Sequence, residues 1–343
     1  MKTAALIAAL VASTPGFADE PTQATLDWLK SVGVKKGSTD YTVDELKKLT
    51  MLSLSSKKLS DAGLVNVRSL PLLTDLDLSG MTGITSDGVK HLAGLKLKRL
   101  KFNVNKNIDD KAMAVVSALT TLEALSLDGT SVTTAGVTQL AALTNLTELD
   151  LGSLKGVTND ALPSLKKLPK LGKLVLQGTG VNDDGLVHLK DFAALKNLNL
   201  GWLTVDAGLV HLTGLKLEEL NLFYAKTTDV GAKHLGAITG LKRLFAWNTQ
   251  ITDAGLAHLV NLKELKTLYL EGTGVTDAGM ATVAKLPALD HLWISGLPIT
   301  DAGLAKLKGN KALKMIQARK TQITEAGVAK AVAAQPGLTV AVK

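Results

Sequence analysis

The sequence predicts an α/β solenoid, in which short strands and short helices alternate through a series of repeating units. The first observation is a Leu-x-x-Leu-x-Leu pattern that recurs at intervals of 24 or 25 residues, with one interval of 22, from residue 49 onward. The second is a helix-capping residue at one equivalent place after most of these patterns, followed by a Leu-x-x-Leu pair typical of a short helix. The third is an apolar content of 46% with only 3% aromatic residues, which suits stacked layers of Leu, Val, Ile and Ala.

The predicted strands give each repeat a common frame, in which the first Leu of the pattern is position one. The fourth and sixth positions face the core, whereas the third, fifth and seventh face outward and the eighth lies at the rim. One unit cannot bury its apolar side alone, so stacked units must share a continuous core. The twelve repeats over 49–337 begin at Leu49, Leu73, Leu97, Leu122, Leu146, Leu171, Leu195, Leu217, Leu241, Leu265, Leu289 and Leu313.

The two ends of the chain depart from this pattern. Residues 1–18 have a positive Lys2, an apolar stretch over 4–12 and small residues before position 19, which predicts a secretory signal; a buried N-terminal helix is the alternative. Residues 19–48 are expected to form a helical cap, with Thr42 and Glu45 in a capping box. Residues 338–343 are expected to form a partial repeat whose strand starts at Leu338.

Each predicted helix starts at a polar residue, which is often followed by an acidic one. Such residues accept hydrogen bonds from the first helical N–H groups, and the acidic residue suits the positive end of the helix dipole. We call the acidic residues at the helix starts of successive repeats the acidic ladder. Helix capping explains it better than calcium binding does, because calcium needs six or more converging oxygens. The predicted cap residues are Ser60, Thr85, Asp109, Thr133, Thr158, Asn182, Thr228, Thr252, Thr276, Thr300 and Thr324.

The repeats resemble the leucine-rich-repeat family over residues 49–343. The stretch Ile251-Thr-Asp-Ala-Gly-Leu256 resembles the cysteine-containing subclass known from F-box substrate receptors and from secreted bacterial proteins. That subclass usually has Cys after the strand, where this chain has Thr, as at Thr130 and Thr249. The resemblance implies a right-handed solenoid or horseshoe, with a parallel sheet on the concave face, helices on the convex face, and partner binding as its activity.

Charge and composition argue against several functions. The net charge is +8, but the lysines are spread along the chain, whereas nucleic-acid binding favours a clustered basic patch. Weak association with an anionic envelope surface remains an alternative. No later stretch is long and apolar enough to predict a transmembrane segment.

No catalytic, metal or cofactor site is predicted. The chain contains no G-x-S-x-G, H-E-x-x-H or P-loop motif and no cysteine, so we expect no enzyme activity and no cofactor. Five histidines recur before a Leu in the helices, at His91, His188, His211, His234 and His258. Repeat duplication explains this row better than a metal stripe does.

Aromatic residues are the one signal that breaks the repeat. Seven of the twelve aromatic residues fall at the outward-facing and rim positions of repeats seven to eleven. Neighbouring strands lie about 4.8 Å apart, so we expect these rings to form a contiguous patch that binds a partner. Arg243, Glu271, His291 and Arg319 flank the rings and are predicted to orient the ligand. The seven predicted binding aromatics are Trp202, Phe223, Tyr224, Phe245, Trp247, Tyr269 and Trp293.

The sequence therefore predicts an exported, periplasmic or extracellular, non-catalytic recognition module. Its ligand is a protein, a peptide or a glycan, and the residues alone do not separate these. One alternative is a structural envelope scaffold that associates with itself through the aromatic residues. Another is an intracellular substrate receptor resembling the F-box proteins.

Overall fold

The fold was analysed in a computed structural model, which describes residues 20–343. The predicted signal segment, residues 1–18, lies outside the described residues. The described chain divides into two compact units, residues 20–171 and residues 172–343. Each unit is a run of short parallel strands, and every strand except the last, β13, is followed by a helical segment.

The strands follow chain order within each unit and pair in parallel with their sequence neighbours. The first unit contains β1 Met51–Ser53, β2 Asp75–Asp77, β3 Arg99–Lys101, β4 Ala124–Ser126 and β5 Glu148–Asp150. The second contains β6 Lys173–Val175, β7 Asn197–Asn199, β8 Glu219–Asn221, β9 Arg243–Phe245, β10 Thr267–Tyr269, β11 His291–Trp293, β12 Met315–Gln317 and β13 Thr339–Ala341. Each strand is three residues long, and the central residue of β1 to β12 is buried in the core.

The helical segments are short, and many form 3-10 rather than α-helices. The α-helices are α1 Gln23–Ser31, α2 Val43–Leu46, α3 Met113–Val116, α4 Thr134–Gln139, α5 Leu162–Leu165, α6 Asp183–Leu186, α7 Asp229–Leu235, α8 Asp253–Ala257, α9 Met280–Val283, α10 Asp301–Lys306 and α11 Glu325–Ala334. The 3-10 helices are Asp61–Ser69, Gly88–Leu92, Leu140–Ala142, Asn159–Ala161, Val187–Asp191, Ala207–Leu212, His258–Asn261 and Leu307–Gly309. No helix within residues 20–343 has the length and apolarity needed to cross a membrane.

Register between strands builds the core as rows of like residues. In the second unit Leu268 pairs with Leu244 on one side and Leu292 on the other, and all three are fully buried. The row ends in β13 at Val340, which pairs with Ile316. The sequence frame that starts at Leu338 would have put Ala341 there, so the last strand is shifted by one residue.

The polar residues at the helix starts act mainly as predicted, but the acidic residues beside them have a second partner. Thr300 caps α10 by accepting a hydrogen bond from the N–H of Ala302. Asp277, one repeat earlier, accepts bonds from both the N–H and the hydroxyl of Thr300, at 2.8 and 2.6 Å. The same bridge joins Asp61 to Thr85, Asp110 to Thr133, Asp206 to Thr228, Asp229 to Thr252, Asp253 to Thr276 and Asp301 to Thr324. The acidic ladder therefore ties consecutive repeats together.

The N-terminal residues contact the first repeat. Leu26, Leu29 and Leu46 are buried, and the hydroxyl of Thr25 lies 2.9 Å from that of Ser69. The capping box predicted for α2 is present, because the side chains of Thr42 and Glu45 each bond the other's backbone N–H.

Candidate functional site

The outward face of the second unit carries the seven predicted aromatic residues, which we call the aromatic surface. Alternation along each strand puts Phe245 beside the buried Leu244 but on the opposite face, and does the same for Tyr269 and Trp293. Phe223 and Trp247 follow the ends of β8 and β9, and Trp202 and Tyr224 come one position later in their repeats. None of the seven rings belongs to the buried core.

The first group of the aromatic surface is a stack of three rings on consecutive strands. The ring centroids of Phe245 and Tyr269 are 4.7 Å apart, and those of Tyr269 and Trp293 are 4.1 Å apart, with interplanar angles below 20°. These separations match the spacing of neighbouring strands, so the stack runs across the sheet. Both faces of the Tyr269 ring are therefore covered, and solvent meets mainly ring edges.

The second group contains the other four rings. Phe223 stacks on Trp247 with a centroid distance of 5.1 Å, and Trp202 stacks on Tyr224 at 4.2 Å. Edge-to-face contacts at 5.2–6.3 Å join the two stacks. No ring pair within residues 20–343 joins this group to the first, so the expected contiguous patch is two adjoining groups.

The backbone at Trp202 and Tyr224 is in the left-handed region, with φ of 62° and 55°. Five of the twelve repeats have Gly at this rim position, where the left-handed conformation carries no Cβ strain. A bulky side chain there costs about 1 kcal/mol or more. Trp202 is nevertheless 57% exposed and Tyr224 39% exposed, so burial offsets little of this cost.

Two neighbouring residues fix the position of Phe223, and sequence reasoning did not identify either one. Asn221 accepts a hydrogen bond from the N–H of Phe223 at 3.0 Å, which holds the backbone where β8 ends. Gly201 leaves room for the ring, since a Cβ there would lie 2.5 Å from a ring carbon of Phe223. Two sequence features could have identified them. Asn221 lies two residues before Phe223, and Gly201 occupies the repeat position of Phe223 in the preceding repeat.

The four predicted flanking residues differ in their contacts. Arg243 forms an ion pair with Glu219 at 2.5 Å. The Nδ1 atom of His291 lies 2.6 Å from the Asp290 carboxylate, and its ring is parallel to Trp293 at 5.8 Å. Arg319 follows β12, beyond the ring groups, and is exposed.

Glu271 is the fourth flanking residue, and it follows β10 beside the rings. Burial raises the pKa of its carboxyl group above the ordinary value. Burial, and secondarily the charge of Glu271, also raises the pKa of Tyr269. The carboxylate therefore lies close enough to the Tyr269 phenol to affect its titration.

The histidine row and the acidic ladder do not form a metal centre. Within residues 20–343, no three His, Asp or Glu side chains converge closely enough to hold a metal ion.

The first unit has a different outward face, with an ion pair between Arg99 and Asp75 at 3.4 Å instead of stacked rings.

Comparison with solved structures identifies the fold as that of leucine-rich-repeat proteins. An internalin, InlF, from Listeria monocytogenes has 21% identity and a TM-score of 0.65, over 96% of this chain and 98% of that one. A leucine-rich-repeat protein of Leptospira interrogans has 16% identity and a TM-score of 0.48, over 94% of this chain and 99% of that one. No protein-family model and no curated protein matches the chain in sequence.

A third similar structure is the leucine-rich-repeat ectodomain of the plant membrane receptor kinase GASSHO1/SCHENGEN3 from Arabidopsis thaliana, in complex with CASPARIAN STRIP INTEGRITY FACTOR 2. It has 15% identity and a TM-score of 0.50, over 100% of this chain and 44% of that one.

The resemblance to the cysteine-containing, F-box-like subclass is not supported. The chain has no cysteine, and Thr takes the place of Cys in the loop after the strand. There the Thr249 hydroxyl donates a hydrogen bond to the carbonyl of Ala246 at 2.7 Å, and Thr130 bonds Leu127 in the same way. The hydroxyl thus closes the loop through a local hydrogen bond.

Proposed function

We propose that the chain is an exported, non-catalytic recognition module that binds a protein or peptide segment on the aromatic surface. The observation that carries the proposal is the cluster of seven stacked rings on the outward face, two of which, Trp202 and Tyr224, are exposed at the rim. Exposed rings gain little from burial and so add little to the stability of the fold, whereas a cluster of exposed and half-buried aromatic side chains is typical of an interface. The other five rings extend this surface over three further strands.

Ring orientation favours a protein or peptide over a glycan. Sugars stack on the open faces of aromatic rings, whereas stacking within the aromatic surface covers both faces of Tyr269 and one face of each other ring. Exposed ring edges suit aliphatic and aromatic side chains, which pack at interfaces of this kind. The similar plant ectodomain, which is in complex with CASPARIAN STRIP INTEGRITY FACTOR 2, is consistent with a proteinaceous ligand.

Affinity capture from the envelope and culture fluid of the source organism tests the proposal. The baits are residues 19–343 in wild-type form and with Phe245, Trp247, Tyr269 and Trp293 replaced by Ala. Mass spectrometry and sugar analysis identify what each bait retains. We expect a protein or peptide that the wild type retains and the quadruple variant loses.

A matched control replaces exposed apolar residues on the outward face of the first unit. Met51 and Val104 are 65% and 64% exposed, and neither belongs to the aromatic surface. Met51→Ala/Val104→Ala should capture the same ligand as wild type. Circular dichroism must show that every bait is folded. Equal capture by all three baits would refute the site, and a mass that rises with concentration would favour the self-associating scaffold.

A further inference from the structure

Glu271 differs from the acidic residues Glu219 and Asp290 because no Lys, Arg or His within residues 20–343 is paired with its carboxylate. Glu219 is paired with Arg243, and Asp290 with His291. Glu271 is only partly exposed, and burial disfavours its charged form. Buried carboxylates are ordinarily paired, because an unpaired charge loses hydration without compensation. Glu271 therefore lacks a countercharge among the described residues, although a hydrogen bond from its own backbone N–H favours the charged form.

Register puts this carboxylate next to Trp247. The two residues occupy the same position in consecutive repeats, and the N–H of Asn248 donates to the carbonyl of Glu271 at 2.7 Å. Phe223, one repeat earlier, covers one face of the Trp247 indole. The stack runs across the strands, so the opposite face points toward the repeat that contains Glu271. No other ring among the described residues lies on that face.

An indole face and a carboxylate together match one ligand chemistry. The negative face of an aromatic ring attracts a cation, and Trp attracts it most strongly. A partly buried carboxylate forms charge-assisted hydrogen bonds with ammonium or guanidinium groups. Tyr269, at the end of the strand that Glu271 follows, offers apolar surface for the methylene stem of a long side chain.

We propose that Trp247 and Glu271 form a subsite for one Lys or Arg side chain of the bound protein or peptide segment. This inference rests on the proposed function and specifies the ligand of the same surface. The cationic group lies against the free face of Trp247 with its charge toward Glu271. The rings on either side take the apolar side chains that flank it in the ligand.

The chain's own cations do not fill this subsite. Arg243 is held by Glu219, and His291 by Asp290. Arg319 occupies the same repeat position as Glu271 but two strands further on, at roughly 10 Å by the usual strand spacing. It forms no ion pair among the residues that the structure describes. The cation must therefore come from the ligand.

Selection from a random library of N-acetylated decapeptides on beads tests the subsite. Wild-type protein should enrich sequences that share Lys or Arg at one position between apolar residues. The best peptide is then remade with citrulline in place of Arg, or norleucine in place of Lys, and titrated by tryptophan fluorescence. We expect the neutral peptide to bind at least about tenfold more weakly, which corresponds to about 1.4 kcal/mol.

Variants locate the effect at Glu271. Glu271→Gln should lower the affinity for the cationic peptide by about tenfold and leave the affinity for the neutral peptide nearly unchanged. Glu264→Gln is the matched control, because it removes the same charge from an exposed residue at the end of the preceding repeat. It should leave both affinities unchanged.

The outcomes separate the inference from the proposed function. One result is that the enriched peptides share no cation and yet lose their binding when the four rings are replaced. That result would overturn the inference and support the proposed function. Equal binding of cationic and neutral peptides would do the same. If no peptide binds, or if an amino sugar or another glycan binds in its place, both the cationic subsite and the peptide-binding function are refuted.

Discussion

At the scale of single residues, Trp202 and Tyr224 set the site apart from the scaffold. Both side chains could be placed at the rim from the sequence, because repeat spacing alone assigns their position. The left-handed backbone could not, because it depends on hydrogen bonds such as that from the Trp202 N–H to the Phe223 carbonyl. The stacking of the two rings could not be predicted either, because it depends on how neighbouring repeats are aligned in three dimensions.

Replacing Trp202 separates the backbone strain from the ring contact. Trp202→Gly and Trp202→Ala both remove the stack with Tyr224, but only Gly adopts the left-handed conformation without Cβ strain. We expect the Gly variant to be more stable than the Ala variant by about 1 kcal/mol. Urea unfolding monitored by circular dichroism measures this difference. Equal midpoints would mean that the rim position carries no strain.

Glu271 should show its unpaired charge as a dependence of stability on pH. Its pKa is raised in the folded state, so the folded protein holds more protons than the unfolded one between the two pKa values. The free energy of unfolding therefore falls as the pH rises through the folded pKa. Glu271→Gln should increase that free energy at pH 7, and the gain should disappear well below pH 4.5, the ordinary pKa value.

Urea titrations of wild type and variant at the two pH values provide this measurement. Glu264→Gln, which changes an exposed carboxylate, should stay within about 0.5 kcal/mol of wild type at both. A Glu271→Gln variant less stable than wild type at pH 7 would show that the carboxylate has a stabilising partner.

At the scale of elements, the Asp bridges explain a feature that capping alone leaves open. The sequence predicted helix caps correctly, because a cap is a local hydrogen bond within a few residues. It did not predict that Asp301 binds Thr324, because that contact joins residues 23 positions apart and requires the repeats to be stacked. It also gave no reason for the Gly that lies three residues after many of the capping residues, as Gly327 does after Thr324. A Cβ at Gly327 would collide with the Asp301 carboxylate.

A double-mutant cycle tests this steric coupling in α11. Gly327→Ala alone should destabilise the protein by about 1–3 kcal/mol, because the new methyl displaces the Asp301 carboxylate from Thr324. In an Asp301→Ala background the clash is gone, and Gly327→Ala should become neutral or stabilising by up to about 1 kcal/mol through helix propensity. Chemical unfolding of the four proteins yields the coupling energy, and additive effects would contradict the bridge.

The same bridge predicts an acid-sensitive C-terminal repeat. Hydrogen bonds from the backbone N–H and then the hydroxyl of Thr324 lower the pKa of Asp301. A lowered folded-state pKa gives stability that is present above the ordinary value of 3.8 and is lost as the pH falls through the folded value. The Thr324 amide should therefore lose protection against hydrogen exchange as the pH falls through the folded-state pKa of Asp301. In the Asp301→Ala variant, which lacks the bridge, the protection of the Thr324 amide against exchange should not change over the same pH range.

At the scale of the whole molecule, the net charge opposes the proposed ligand. The chain carries +8 overall, whereas the proposed subsite is locally negative. A cationic peptide is therefore repelled at long range and attracted only at close range. Screening acts within about 10 Å at 0.1 M salt, so added salt weakens the long-range repulsion first.

Association kinetics should reveal these two opposing effects. Raising the salt from 20 to 150 mM should increase the association rate of the cationic library peptide by a few-fold, and should also increase its dissociation rate. Stopped-flow tryptophan fluorescence measures both. The neutral peptide is the control, and its association rate should barely change. A cationic peptide that associates more slowly in salt would indicate a net attractive field around the site.

The rim position has a consequence for how such a protein acquires new specificities. Residues as different as Ser, Val, Trp, Tyr, Asn and Lys adopt the same left-handed conformation there, at Ser56, Val104, Trp202, Tyr224, Asn248 and Lys320. The neighbouring repeats therefore impose the backbone geometry, and side-chain identity is free to vary while the buried Leu rows stay the same. Randomising these sites should yield a repertoire of binders that share one scaffold, and drift at the same sites offers natural lineages a route to new ligands.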